Sequence, residues 1–141
     1  MNFAIVVSKY NASVSQGLLD GALAAFEKRG IAKNRIKIVW VPGAFEIPAA
    51  AKKLAQSKNF DAVVCLGCVL RGETPHNHYI SQATAIGIMQ TGLETGVPVT
   101  FGVLTPNTLK QAKARSGKNS DNKGTEAALA AIEMAELFSK I

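Results

Sequence analysis

Four short apolar runs, separated by longer segments with helical punctuation, restrict this chain's fold more than any other feature. Phe3 to Val7 is continuously apolar and suits a strand buried on both faces. Ile36 to Val41 is rich in β-branched residues and closes at Pro42-Gly43. Residues 62–68 repeat the buried-strand pattern, and Val99 to Leu104 makes a fourth strand. Between the first two runs, Ser13 with Gln16 three residues on reads as a capping box. It opens a helix running to about Arg29 and stopped by Gly30. Pro48 falls in the first turn of a second helix that ends near Ser57. A long helix over 77–95 stops at Gly96 and Pro98, and Thr108 begins another. After the polar break 117–122 an Ala-rich helix covers about 124–139. Helices at every crossover imply a parallel sheet, and right-handed crossovers cover both of its faces. The expected fold is therefore α/β: a single-domain three-layer α/β/α sandwich over 1–141, with a flavodoxin-like four-stranded parallel sheet.

Hydrophobic residues make up 48 % of the chain and charged ones 18 %, which supports one real core and excludes a disordered polymer. The net charge of +6 raises two anionic partners, nucleic acid and a phosphorylated metabolite. Basic residues thicken at Lys110, Lys113, Arg115, Lys118 and Lys123, yet no consecutive block forms and no aromatic platform interleaves with them. That distribution describes a solvated basic surface rather than a nucleic-acid interface. No run approaches the roughly 18 apolar residues of a membrane span. The N-terminus enters a strand without a basic leader, so a soluble, cytoplasmic protein is expected. Cys65 and Cys68 form a C-x-x-C inside a strand, where an odd separation sends the side chains to opposite faces. A redox pair would instead open a helix, and zinc would need a second pair that the chain lacks, which leaves structural thiols and no metal site.

Ligands of parallel sheets bind beyond the carboxyl ends of the strands, here the loops 8–12, 42–46, 69–76 and 105–107. In the first, Tyr10 is either a lid on the core or a face on which a flat heterocycle stacks. In the second, Pro42-Gly43-Ala44-Phe45-Glu46-Ile47-Pro48 leads into a helix N-terminus. There Glu46 is either a first-turn acid favoured by the helix dipole or an acceptor for a polyhydroxyl substrate. In the third, Arg71-Gly72-Glu73-Thr74-Pro75-His76 sets a glycine, a hydroxyl and free backbone N–H groups around a position suited to an anion. It lacks the Gly-Lys-[Ser/Thr] ending of a Walker loop. His76 beside it is either a capping residue or a proton mover near neutral pH. Arg115 and Lys123 are either exposed helix-end cations or ligands for phosphate and a ring carbonyl.

The segments VPGAFEIP, LRGETPH, FGVLTPNTLKQA and NKGTEAALAAIEMA, in this order within Ala4 to Lys140, closely resemble the lumazine synthase family. The resemblance implies a cofactor-independent transferase of riboflavin biosynthesis. Its reaction condenses 5-amino-6-(D-ribitylamino)uracil with 3,4-dihydroxy-2-butanone 4-phosphate and releases phosphate and water. By the same resemblance Tyr10 stacks on the pyrimidine, while Ala44, Phe45 and Glu46 hold the ring and ribityl chain. Val69 and Leu70 line the ring pocket, Gly72, Glu73 and Thr74 hold the butanone phosphate, and His76 transfers protons. Phe101, Arg115 and Lys123 reach the site from an adjacent subunit, with Arg115 on phosphate. The implied partners are small-molecule substrates and further copies of the chain, with active sites at subunit interfaces; a riboflavin synthase is a further candidate.

Three positions depart from the family pattern. His78 stands where an acidic residue usually follows the catalytic histidine by two positions. The loop GKNSDNKG replaces the more usual GTKAGNKG at the same length, and the N-terminal arm is short. The last two favour a pentamer over a 60-subunit shell. Three other readings stay in view: a flavin or lumazine carrier on the same fold, an archaeal-type riboflavin synthase, and a basic nucleic-acid binder. The first gives His76 no task beside an anion, and the site motifs of the second do not read as GAFEIP or RGETPH. The third predicts a steep loss of DNA or RNA binding with salt.

Overall fold

A computed structural model describes residues 1–141. Its four strands, β1 (Phe3–Ser8), β2 (Ile36–Val41), β3 (Ala62–Cys68) and β4 (Val99–Leu104), are all parallel and lie in the order β2-β1-β3-β4. Helices α1 (Ala12–Lys28), α2 (Ile47–Gln56), α3 (His76–Thr95), α4 (Leu109–Ala114) and α5 (Lys123–Phe138) make the crossovers and the C-terminal cover. Alternation along the strands divides the interior in two. Phe3, Ile5 and Val7 of β1 pack with Ala62, Val64 and Leu66 of β3 against α1 and α5. Ala4 and Val6 pack with Val63 and Cys65 against α2 and α3. Every residue of β1 and β3 is buried, as two covered faces require. The three-layer sandwich expected from the sequence is the observed architecture.

Cys65 lies in one core and Cys68 in the other, both as free thiols. The first helix also ends where expected. Gly30 takes φ 78°, its N–H donates to Glu27 O, and the Ile31 N–H donates to Phe26 O, which together close a Schellman motif. Phe26 in that last turn stacks obliquely on Phe3, with ring centroids 4.8 Å apart.

The start of α1 corrects the reading of Ser13. No capping box forms with Gln16; the helix begins at Ala12, and the Gln16 amide donates to Asp20 instead. Asn11 occupies the N-cap position in the left-handed region, at φ 58°, a conformation asparagine tolerates. Its side-chain amide donates to the Cys68 carbonyl, and the Ser15 hydroxyl donates to Tyr10 O. These tertiary contacts fix the helix entry and override the local pattern. A true capping box sits instead at Thr108 and Gln111, at the head of α4. Two short 3₁₀ turns, Lys33–Arg35 and Ala44–Glu46, were not foreseen.

Helices α1 and α5 cross closely, and Gly124 stands at the contact. A Cβ there would collide with the Leu18 carbonyl of α1 and crowd the Asn122 side chain. Backbone cannot retreat as a flexible side chain can. Gly124→Ala is therefore expected to cost about 3 kcal/mol, read as a lower urea midpoint at unchanged slope; a loss below about 1 kcal/mol would contradict the packing.

Candidate functional site

At the carboxyl edge of the sheet, three of the four strand-end loops converge on a cleft of about 480 Å³. Tyr10 enters from the first loop, Gly43 to Glu46 from the second, and Cys68 to Leu70 with Gly72, Thr74 and His76 from the third. The walls are built before any ligand arrives. Tyr10 and Phe45 stand 66 % and 59 % exposed, an unusual state for aromatic rings without a partner. The Asn11 contact to Cys68 O and the Ser15 contact to Tyr10 O hold the Tyr10 loop.

On the facing wall, the buried Thr84 hydroxyl of α3 donates to Ala44 O, tying the 3₁₀ turn to α3. That turn places the half-buried Glu46 carboxylate next to the N-terminus of α2, where the helix dipole favours negative charge. The third loop extends the sheet's hydrogen bonding, with Val69 N–H donating to Leu104 O and Arg71 N–H to Pro106 O. It then turns into α3, and the His76 N–H donates to the Thr74 hydroxyl at 3.4 Å. The imidazole thus sits on the first helical residue, facing the cleft beside Thr74 and Gly72. His78 is exposed and lies outside the lining.

Nine of the residues singled out from the sequence line this one cleft: Tyr10, Ala44, Phe45, Glu46, Val69, Leu70, Gly72, Thr74 and His76. Phe101, Arg115 and Lys123 do not join them. They line a second depression of about 360 Å³, with Val103, Leu104, Thr105, Pro106 and Gln111. Glu73 lines neither. The fourth strand-end loop, 105–107, thus serves the second depression. The two clefts share no lining residue, and the second opens beside β4, an edge strand with no neighbour beyond it. The cations there are held by one acid: Arg115 Nη2 lies 3.4 Å from Glu126, and Lys123 Nζ 3.1 Å from its other oxygen.

Sequence reasoning missed Cys68, Asn77 and Ile80 as lining groups of the first cleft and Gln111 in the second, while Gly43 came with the loop 42–48. Gln111 was traceable through the T-x-x-Q spacing. Its Oε1 accepts from the N–H groups of Asn107 and Thr108 and so shapes the 105–108 loop. No cluster of His, Cys, Asp and Glu has metal-binding geometry, and no helix is long and apolar enough to cross a membrane.

Comparison with known proteins adds an independent line. Residues 1–139 match the family described as 6,7-dimethyl-8-ribityllumazine synthase. A 6,7-dimethyl-8-ribityllumazine synthase of Syntrophus aciditrophicus is 50 % identical over 141 residues, covering 100 % of this chain and 92 % of its own length. One of Salinibacter ruber is 51 % identical over 139 residues, covering 99 % and 89 %.

Cys68 touches the first cleft yet is only 2 % exposed, and burial pushes its thiol from 9.0 up to about 11. Burial raises Cys65 further still. Both thiols are therefore protonated at pH 8, and thiolate is the reactive form. Iodoacetamide at pH 8 is expected to label neither cysteine in the native protein and both in urea, by mass spectrometry. Native labelling at the rate of a free thiol would overturn this assignment.

Proposed function

The chain belongs to the 6,7-dimethyl-8-ribityllumazine synthase family, and from that premise we propose how its two clefts divide the work of a lumazine-forming condensation. The enzyme is a transferase of riboflavin biosynthesis, joining 5-amino-6-(D-ribitylamino)uracil to 3,4-dihydroxy-2-butanone 4-phosphate. The aromatic cleft takes the pyrimidine, stacked on Tyr10 and bounded by Phe45, Val69 and Leu70, with Glu46 accepting from ribityl hydroxyls. Gly72 and Thr74 receive the phosphate end near the N-terminus of α3, with Glu73 at the rim of the same loop.

The chemistry asks little beyond orientation and proton transfer. The aryl amine adds to the ketone carbon and water leaves, giving an imine. A proton departs from the neighbouring carbon as the C–O bond to phosphate breaks, which leaves an enol. Tautomerisation produces a ketone, the ribityl-bearing nitrogen adds to it and closes the ring, and a second water leaves. His76 moves protons through these steps, and the Arg115 guanidinium offsets charge on the departing phosphate. The substrate's own amine forms the imine, so no enzyme lysine need be a nucleophile, and the steps as written use no metal or organic cofactor.

The observation that carries the shared-site reading is the separation of the cations from the aromatic cleft. The first cleft has no lysine or arginine in its lining, whereas the second has both Arg115 and Lys123 beside an open sheet edge. A neighbouring copy docking its second depression over the first cleft completes one site. Because the two surfaces differ, the contact is heterologous, and a rotation that closes makes it a ring rather than an open filament. The outward face of α3 supports this, since Tyr79, Ile86, Met89 and Leu93 form an exposed apolar stripe that a second copy would cover. We read the ring as a pentamer acting in the cytoplasm, and sedimentation of the native protein measures its size.

Purified protein given both substrates is expected to form fluorescent lumazine well above the uncatalysed rate; background rate with product still bound would mark a carrier instead. Arg115→Ala is expected to raise KM for the phosphorylated substrate about 10- to 100-fold. A third measurement tests sharing between chains. Glu46→Ala and Arg115→Ala chains, each weak alone at low substrate, are refolded together. Random mixing should restore roughly a quarter of wild-type sites, and activity no greater than the two variants' sum would place both halves within one chain.

A further inference from the structure

The cationic depression depends on a segment with little regular structure of its own. Residues 115–122 join the short α4 to α5, and most of their hydrogen bonds stay local. The Ser116 hydroxyl donates to Ala112 O, the Asn119 amide to Ala114 O, and the Asp121 N–H to Asn119 Oδ1. Local bonds of this kind shape a turn but do not fix it relative to the rest of the molecule. The ends of the segment are joined by the Lys123 N–H donating to Arg115 O at 2.8 Å, and Arg115 Nε donates to Asp121 O. Arg115 is therefore carried by this segment, and Lys123, at the head of α5, is bonded to it.

One buried side chain ties the segment to the body of the fold. Asn122 is 4 % exposed, and its amide group is fully engaged. Its Oδ1 accepts from the N–H groups of Gly124 and Thr125, capping α5. Its Nδ2 donates to Gly117 O within the segment at 2.9 Å and to Gly17 O of α1 at 3.1 Å. The α1 surface is shaped to receive it: a Cβ at Gly17 would strike the Ser116 carbonyl, and one at Gly21 would strike the Asn122 side chain. Serine or aspartate would cap α5 as well as asparagine does. Neither reaches across to two carbonyls as a donor. The capping role alone leaves the choice of asparagine unexplained.

We propose that Asn122 is a positioning residue for phosphate recognition, setting Arg115 and Lys123 relative to α1 through its bonds to Gly17 O and Gly117 O. It touches no reacting atom and acts through the two cations. This inference rests on the assignment of the second depression to the phosphorylated substrate. A displaced guanidinium binds phosphate less well, while the Tyr10 and Glu46 cleft on the far loops is untouched.

The test is the steady-state kinetics of Asn122→Ser in the assembled enzyme, varying each substrate at saturation of the other, with Arg115→Ala in parallel. Serine retains the cap and removes both donations. KM for the phosphorylated substrate is expected to rise about tenfold, and inhibition by inorganic phosphate to weaken in step. KM for the ribitylaminouracil should stay within about twofold. A purely structural role would move both KM values together, or neither, and either result overturns the proposal. If Arg115→Ala shifts the phosphate KM and Asn122→Ser does not, positioning fails while the site assignment stands. If Arg115→Ala shifts nothing, the site assignment itself fails and takes the proposal with it. Should Asn122→Ser not accumulate as folded protein, Asn122→Asp gives the same readout, with a carboxylate oxygen facing the two carbonyls.

Discussion

Parallel strands all leave the sheet at the same edge, and that constraint underlies everything else in this molecule. Each crossover must return through a helix, so helices cover both faces and β1 and β3 become fully buried. The polar residues that a strand cannot carry are displaced into the loops beyond its carboxyl end. Tyr10, Glu46 and His76 follow three different strands and lie 30 or more residues apart, yet the topology delivers them to one cleft. The helix N-termini arrive at the same edge, bringing free N–H groups and a favourable dipole for anions. Chemistry collects there because the backbone has nowhere else to put it.

Legibility in the sequence followed the range of the interactions involved. The strand Ala62–Cys68 and the stop at Gly30 depend on burial and on a local backbone preference, and both were readable. The box at Ser13 and Gln16 was equally local in form but did not form. A contact from Asn11 to Cys68, 57 residues away, decided the helix entry. The 3₁₀ turn Ala44–Glu46 escaped notice because its anchor is Thr84, 40 residues further on. For the site, nine residues gathered in one cleft, as the motif order suggested. Glu73 faces neither depression, a matter of side-chain direction within a loop that spacing does not encode.

Electrostatics explain why the cations stand apart from the aromatic cleft. Within one chain, Glu126 holds Arg115 and Lys123 at an exposed surface, where such pairs are weak and exchange readily. In the ring proposed above, a phosphate dianion in a neighbour's cleft would offer a stronger partner for the same guanidinium. In that arrangement the acid would keep the cations oriented without binding them so tightly that substrate cannot compete.

Two clefts with no residue in common also have a genetic meaning. In a ring built as proposed, every polypeptide contributes to two reaction centres, its own aromatic half and its neighbour's cationic half. A polypeptide defective in both halves would silence two centres for each copy incorporated. Such an allele, expressed beside the normal one, would depress activity beyond its share of the gene dose. An allele defective in one half only would silence a single centre per copy and depress activity only in proportion to its dose. Inheritance of the trait would then report the geometry of the protein.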